Sequence, residues 1–172
     1  MKQNLITLKS CTKTYTYDQD KALSPEATVA RFHERLKATN LDVLKEVRRI
    51  DNGRLDIPVY FSVCGEDARR IIGNKKQMGK GSTPEQSRAS AYMELGERFS
   101  FFSFLKNPDN FLVGDYATME AAGHPVLPME VLLASVHDTT LAPEKLRQLL
   151  AELPLRWVWT LRLSDEAPVL VP

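Results

Sequence analysis

Thr83-Pro84-Glu85-Gln86 at one end and Asn107-Pro108 at the other enclose the segment that most constrains this chain. A hydroxyl residue, then proline, then glutamine three positions on is a capping-box start, with proline's fixed φ suited to the first helical position. A proline disfavours helix for the residue before it, so Asn107 is a stop. Between them Ala91, Leu95, Phe99 and Phe102 recur at spacings of four and three. The pattern predicts one long amphipathic helix at the centre of a domain, against which the remaining elements must pack.

Those elements are read the same way. Ser24-Pro25 is a cap followed by proline, and Val29, Phe32, His33 and Leu36 keep helical spacing, giving a helix from Pro25 to Thr39 that Asn40 can end. Leu41 to Ile50 is rich in charged and β-branched residues, and Asp51-Asn52-Gly53 supplies a tight turn. In the second arm of that hairpin Ile57, Val59, Phe61 and Val63 alternate with Tyr60, Ser62 and Cys64, as in a half-buried strand. The basic stretch Arg69 to Gly81 reads as a solvated loop, and Asn107 to Pro128 as a surface connection with at most short elements. Pro143 opens a helix through Leu146, Leu149, Leu150 and Leu153, after which Leu155, Trp157, Trp159, Leu161 and Leu163 alternate as a strand. Pro168-Val169-Leu170-Val171 reads as the start of another strand, so the chain looks cut within a domain. Mixed helices with an antiparallel hairpin favour an α+β fold, residues 1–20 forming a lead-in and residues 21–172 the domain.

Composition excludes several functions. Lys plus Arg number 23 against 22 for Asp plus Glu, so no bulk field draws the chain to nucleic acid or an anionic membrane. Leu5, Ile6 and Leu8 make too short an apolar patch for a signal or a membrane span. Two cysteines, Cys11 and Cys64, in unrelated contexts suit free thiols in the cytoplasm. His33, His124 and His137 lack zinc-ligand spacing.

Ser90, Glu94 and Glu97 lie at i, i+4 and i+7 and so project from one face of the long helix. Alone, such a pair of carboxylates reads as a solvated face. Gly79-Lys80-Gly81-Ser82 lies just ahead of it, where backbone N–H groups, a lysine and the helix dipole could face an anion. Carboxylates beside a phosphate suggest Mg2+, which takes oxygen ligands from one or two carboxylates and completes its shell with water and substrate phosphates. The glycine spacing is not that of a P-loop. Arg69, Arg70, Lys75, Lys76 and Lys80 have no interleaved aromatic residues for nucleic-acid stacking.

From Gly79 through Arg98 the sequence GKGSTPEQSRASAYMELGER resembles the helix motif of the YcaO family, a GKG turn ahead of S-x-x-x-E-x-x-E-R. The resemblance implies that Ser90, Glu94 and Glu97 belong to an ATP and magnesium site, Glu94 and Glu97 as metal ligands, with Lys80 and Arg98 beside them. Lys21 and Thr28 resemble the family's upstream lysine and a serine seven residues later, lying beside the nucleotide. The likeness implies that Lys21 and Lys80 face phosphate oxygens and that Ser90 and Thr28 donate hydroxyl hydrogen bonds. It also implies the reaction: a nucleophile attacks a peptide carbonyl, the amide oxygen is phosphorylated by ATP, and phosphate leaves to give an azoline or thioamide. Other members assist methylthiolation of a ribosomal protein. A peptide or protein substrate is expected, with a partner protein that delivers sulfur or recognises the peptide. The family's second acidic helix and a later arginine lie beyond Pro172, so part of the site is expected here. A non-catalytic module that binds a partner is the rival reading, and a homodimer is one expectation of apolar surface left open by truncation.

Overall fold

The computed structural model describes residues 8–13, 21–134, 140 and 142–172. Leu5, Ile6, His137 and most of the expected lead-in lie outside the described residues. The described residues divide into two compact units, Ser10–Asn107 and Pro108–Pro172, with Leu8 and Lys9 grouped with the latter.

In the first unit, helix α1 spans Pro25–Thr39; the Ser24 hydroxyl oxygen accepts from the Ala27 N–H at 3.1 Å, and Asn40 closes the helix at φ 53°. Strands β1 (Leu44–Arg49) and β2 (Val59–Cys64) form the expected antiparallel hairpin. Their connection is wider than a tight turn. The Asp51 carboxylate accepts from Arg49 Nε at 2.7 Å and from the Val59 N–H at 3.0 Å, bracing both sides of a loop. Those bonds, Arg49's first, hold the Asp51 carboxyl well below the usual range.

The half-buried strand needs correction. Ile57 falls outside β2 and is exposed, while Phe61, Ser62 and Cys64 are all buried. Both faces of β2 are covered, and the face with the small polar residues lies deeper. Cys64 joins Val43, Ala68, Ile72 and Leu95 in the core, and burial pushes its thiol pKa up.

The basic stretch is not a loop throughout. It holds the second half of helix α2 (Glu66–Ile72) and all of strand β3 (Gln77–Lys80), which completes a sheet of order β1-β2-β3. The long helix α3 spans Pro84–Lys106, its Thr83 hydroxyl accepting from the Gln86 N–H at 3.2 Å. It crosses the sheet closely. A Cβ on Gly79 would stand 2.1 Å from the Ala91 nitrogen, and the buried Ser87 hydroxyl donates to the Gly79 carbonyl at 2.8 Å. Glycine is therefore required in β3 for strand-on-helix contact.

The second unit contains a 3-10 turn at Pro108–Asn110, strand β4 (Leu112–Gly114) and helices α4 (Tyr116–Ala121), α5 (Met129–Ala134) and α6 (Pro143–Glu152). Strands β5 (Leu155–Arg162) and β6 (Ala167–Val171) follow, in a second antiparallel sheet of order β4-β5-β6. Trp157 is fully buried and donates its indole N–H to the Gly114 carbonyl at 2.8 Å. The stretch expected as surface connection carries Tyr116 and Met119 into this core. Asp115 caps α4, accepting from the Thr118 N–H at 2.7 Å, and the Tyr116 hydroxyl donates to the Leu127 carbonyl. Short elements pinned by such bonds leave no sustained period to read. The architecture is α+β with antiparallel strands. Among the described residues no helix is long and apolar enough to cross a membrane.

Candidate functional site

Within the unit Ser10–Asn107, one face of α3, the start of α1 and the end of β3 enclose a cavity of about 520 Å³. Six of the seven residues singled out in the sequence line it: Lys21, Thr28, Lys80, Ser90, Glu94 and Glu97. Each arrives for a local reason. Ser90, Glu94 and Glu97 share a face of α3 by helical periodicity. Lys80 pairs with Val59 at the end of β3, and the Ser87–Gly79 bond ties that strand to the helix carrying the carboxylates. Thr28 stands in the first turns of α1, with Lys21 just ahead of that helix.

The groups are not equally free. Lys21, Lys80 and Glu97 make no ion pair, and the Ser90 hydroxyl has no hydrogen-bond partner, among the described residues. Glu94 is engaged: Arg98 donates from Nε to its Oε1 at 2.6 Å. Arg98 itself does not line the cavity and reaches it only through Glu94. Thr28 behaves differently from the expected donor. Its hydroxyl donates to the Ser24 carbonyl at 2.9 Å, so toward the cavity its oxygen is left to accept.

The glycine turn also differs from the expected anion cradle. Gly79 is buried in strand pairing, and Gly81 approaches α3, where an added Cβ would stand 2.6 Å from the Ser87 nitrogen. These glycines bring Lys80 to the helix. Gln86, Met93 and Leu23 also line the cavity. Gln86 and Met93 were legible as the positions four before and three after Ser90 on the same face. Gln86 Oε1 accepts from the Ser82 hydroxyl at 2.6 Å and from the Ser82 N–H at 3.1 Å, fastening the chain that leads into α3.

Two carboxylates and two lysines around one cavity fit a divalent cation bound together with phosphate. Among the described residues no group of three or more His, Cys, Asp or Glu side chains is arranged to hold a metal. A cation here would draw its remaining ligands from water and phosphate oxygens, which suits Mg2+.

The second unit has its own cavity, of about 430 Å³, lined in part by Tyr116, Glu120, Glu130 and Arg147. There Arg147 donates to Glu130 at 2.7 Å and holds that carboxyl below the usual range.

Known proteins resemble this chain in sequence and in fold. The family model for YcaO cyclodehydratase, described as ATP- and Mg2+-binding, matches residues 78–172. An uncharacterized protein of Methanothermobacter thermautotrophicus is 35% identical over 81 residues, covering 46% of this chain and 20% of that protein. The solved YcaO of Methanopyrus kandleri, bound with AMPPCP and Mg2+, is similar in fold at a TM-score of 0.56 and 21% identity, covering 94% of this chain and 35% of that one. A heterocyclase in complex with substrate and cofactor is similar at 0.63 and 19% identity, covering 97% and 24%. This chain thus spans about a third or less of the length of these relatives. With more than half of its residues matched by the family model, motif helix included, the chain belongs to the YcaO family.

Proposed function

We propose that the cavity between α1 and α3 receives ATP with Mg2+, and that residues 21–172, as the N-terminal portion of a YcaO-type domain, contribute part of a site that activates peptide backbone amides. One observation carries this reading: Lys21, Lys80, Ser90 and Glu97, without protein partners among the described residues, converge with Glu94 on a single cavity, although they come from three separate segments. The family's ATP- and Mg2+-binding character and the nucleotide-bound relative support it.

Glu94 and Glu97 would hold the cation, Arg98 keeping Glu94 extended along the helix through its Oε1. Lys21 and Lys80 would face phosphate oxygens as fixed charge in a partly enclosed site, where such charge is worth more than in bulk water. Ser90 would donate to the nucleotide or to water, and Thr28 would accept. When bound, Mg2+ and ATP supply a phosphoryl group that turns an amide oxygen from a poor leaving group into a good one. The nucleophile is then a side chain of the substrate or an external sulfur donor. Azoline formation, thioamide formation and an accessory role in methylthiolation are all compatible with this half of the chemistry. A heterocyclase relative bound with its substrate supports a polypeptide substrate. We further assign a partner protein that supplies sulfur or presents the peptide, and a cytoplasmic setting, which the free thiols of Cys11 and Cys64 support.

The test substitutes Mn2+ for Mg2+ and follows its paramagnetic resonance with ATP present. Protein-bound Mn2+ is expected for the natural chain and is expected to disappear in Glu97→Gln. A Mn2+–ATP spectrum unchanged by adding the natural protein would sink the assignment.

A further inference from the structure

Beside the site lies a second opening, of about 490 Å³, along the groove between α1 and α3. It is continuous with the first, since Leu23, Thr28 and Met93 line both. Its floor is apolar, built from Phe32, Leu36, Val43 and Phe99, and α1 sits close because a Cβ on Gly96 would stand 2.8 Å from the Phe32 ring. Its rim is charged. Arg31 and Arg35 line the groove, are exposed, and have no carboxylate partner among the described residues.

An unpaired guanidinium pair over an apolar floor specifies its complement. The two arginines are four residues apart on α1, which sets them about 6 Å apart along the helix axis. Alternate residues of an extended peptide recur about every 6.6 Å on one face, with the intervening side chains on the other. An extended segment with acidic residues at alternate positions therefore meets both guanidinia while turning apolar side chains into the groove. A nucleotide matches the groove less well, because Lys21 and Lys80 offer its phosphates charge in the adjoining cavity.

We propose that this groove docks an acidic, extended segment of the polypeptide substrate, Arg31 and Arg35 selecting its carboxylates. This inference rests on the amide-activation reading above and adds the substrate class. The direction of the groove then leads a bound chain toward Ser90, Glu94 and Glu97.

The probe is a fluorescein-labelled peptide of alternating leucine and glutamate, its anisotropy followed against a leucine–lysine counterpart. The glutamate peptide is expected to bind, to weaken as salt is raised, and to lose about tenfold or more in affinity in Arg31→Glu/Arg35→Glu, from reversing two partly screened pairs. Mg2+–ATP binding by the double variant is expected to stay unchanged. Equal binding of the two peptides by the natural chain, or peptide binding indifferent to the double substitution, overturns the proposal. So does a fall in nucleotide affinity in parallel with peptide affinity, which assigns the groove to the nucleotide. Self-association that the double variant abolishes also overturns it, assigning the groove to a second copy. Peptide binding that survives Glu97→Gln while Mg2+–ATP binding is absent even in the natural chain leaves the groove standing and removes the nucleotide assignment.

Discussion

The two units hold cavities of similar size, about 520 and 430 Å³, and differ in how many of their polar groups are left without protein partners among the described residues, four around the first and Glu120 at the second. In Pro108–Pro172 the cavity wall carries an ion pair, Glu130 with Arg147, and the Tyr116 hydroxyl beside it is spent on the Leu127 carbonyl. In Ser10–Asn107 the cavity wall carries Lys21, Lys80, Ser90 and Glu97 without protein partners among the described residues. Polar groups gathered in one place and left uncommitted imply a ligand, whereas polar groups already paired explain themselves as structure. The difference supports the proposal that the α1–α3 cavity is the place for chemistry.

Substitutions break or sharpen that contrast. The largest effect is expected from Trp157→Ala, which empties the second core and should cost its unit about 3–5 kcal/mol. Denaturant unfolding followed by Trp159 fluorescence measures it, and a cost below about 1 kcal/mol would contradict the packing described. Gly79→Ala comes next. Its new methyl meets backbone, so β3 must move off α3, with a destabilisation of about 1–3 kcal/mol and, because Lys80 moves too, a weaker Mg2+–ATP complex by calorimetry. Arg98→Ala should weaken that complex about threefold to fivefold, of the order of one partly screened ion pair, with Arg98→Lys recovering part of it. Were Arg98→Ala to bind more tightly, the arginine would be a competitor of the cation for Glu94 and not its support.

The smallest effect is a pH dependence. The Thr118 hydroxyl, and then its N–H, hold the Asp115 carboxyl below its usual range, so Asp115 contributes stability above the ordinary carboxylate range and loses it as pH falls through its folded value. Asp115→Ala should therefore destabilise the chain at neutral pH and match the natural chain in acid, as thermal melts at the two conditions would report.

Much of this was legible in the sequence because strong local signals agreed with tertiary demands. Caps and prolines set α1 and α3, and their i, i+4, i+7 arithmetic put Ser90, Glu94 and Glu97 together before any fold was known. β3 was not legible: Gln77-Met78-Gly79-Lys80 has little strand propensity, and forms a strand because β2 pairs with it and α3 needs glycine there. α2 and α4 are too short for a helical period; burial of Ala68 and Ile72 fixes α2, and the Asp115 cap with buried Tyr116 and Met119 fixes α4. Lys21 and Thr28 carry no local signal and enter only through resemblance. The Arg31–Arg35 groove exists only once Phe32 packs against Gly96, a contact between residues 64 positions apart in the chain.

The most direct test of the central claim is calorimetric titration of this chain with ATP, with and without Mg2+, beside Glu94→Gln and Glu97→Gln. Binding that requires Mg2+ and is lost in both variants, with their melting temperatures unchanged, is the predicted result. Binding indifferent to Mg2+ and to both substitutions, or no binding by the natural chain, would contradict it.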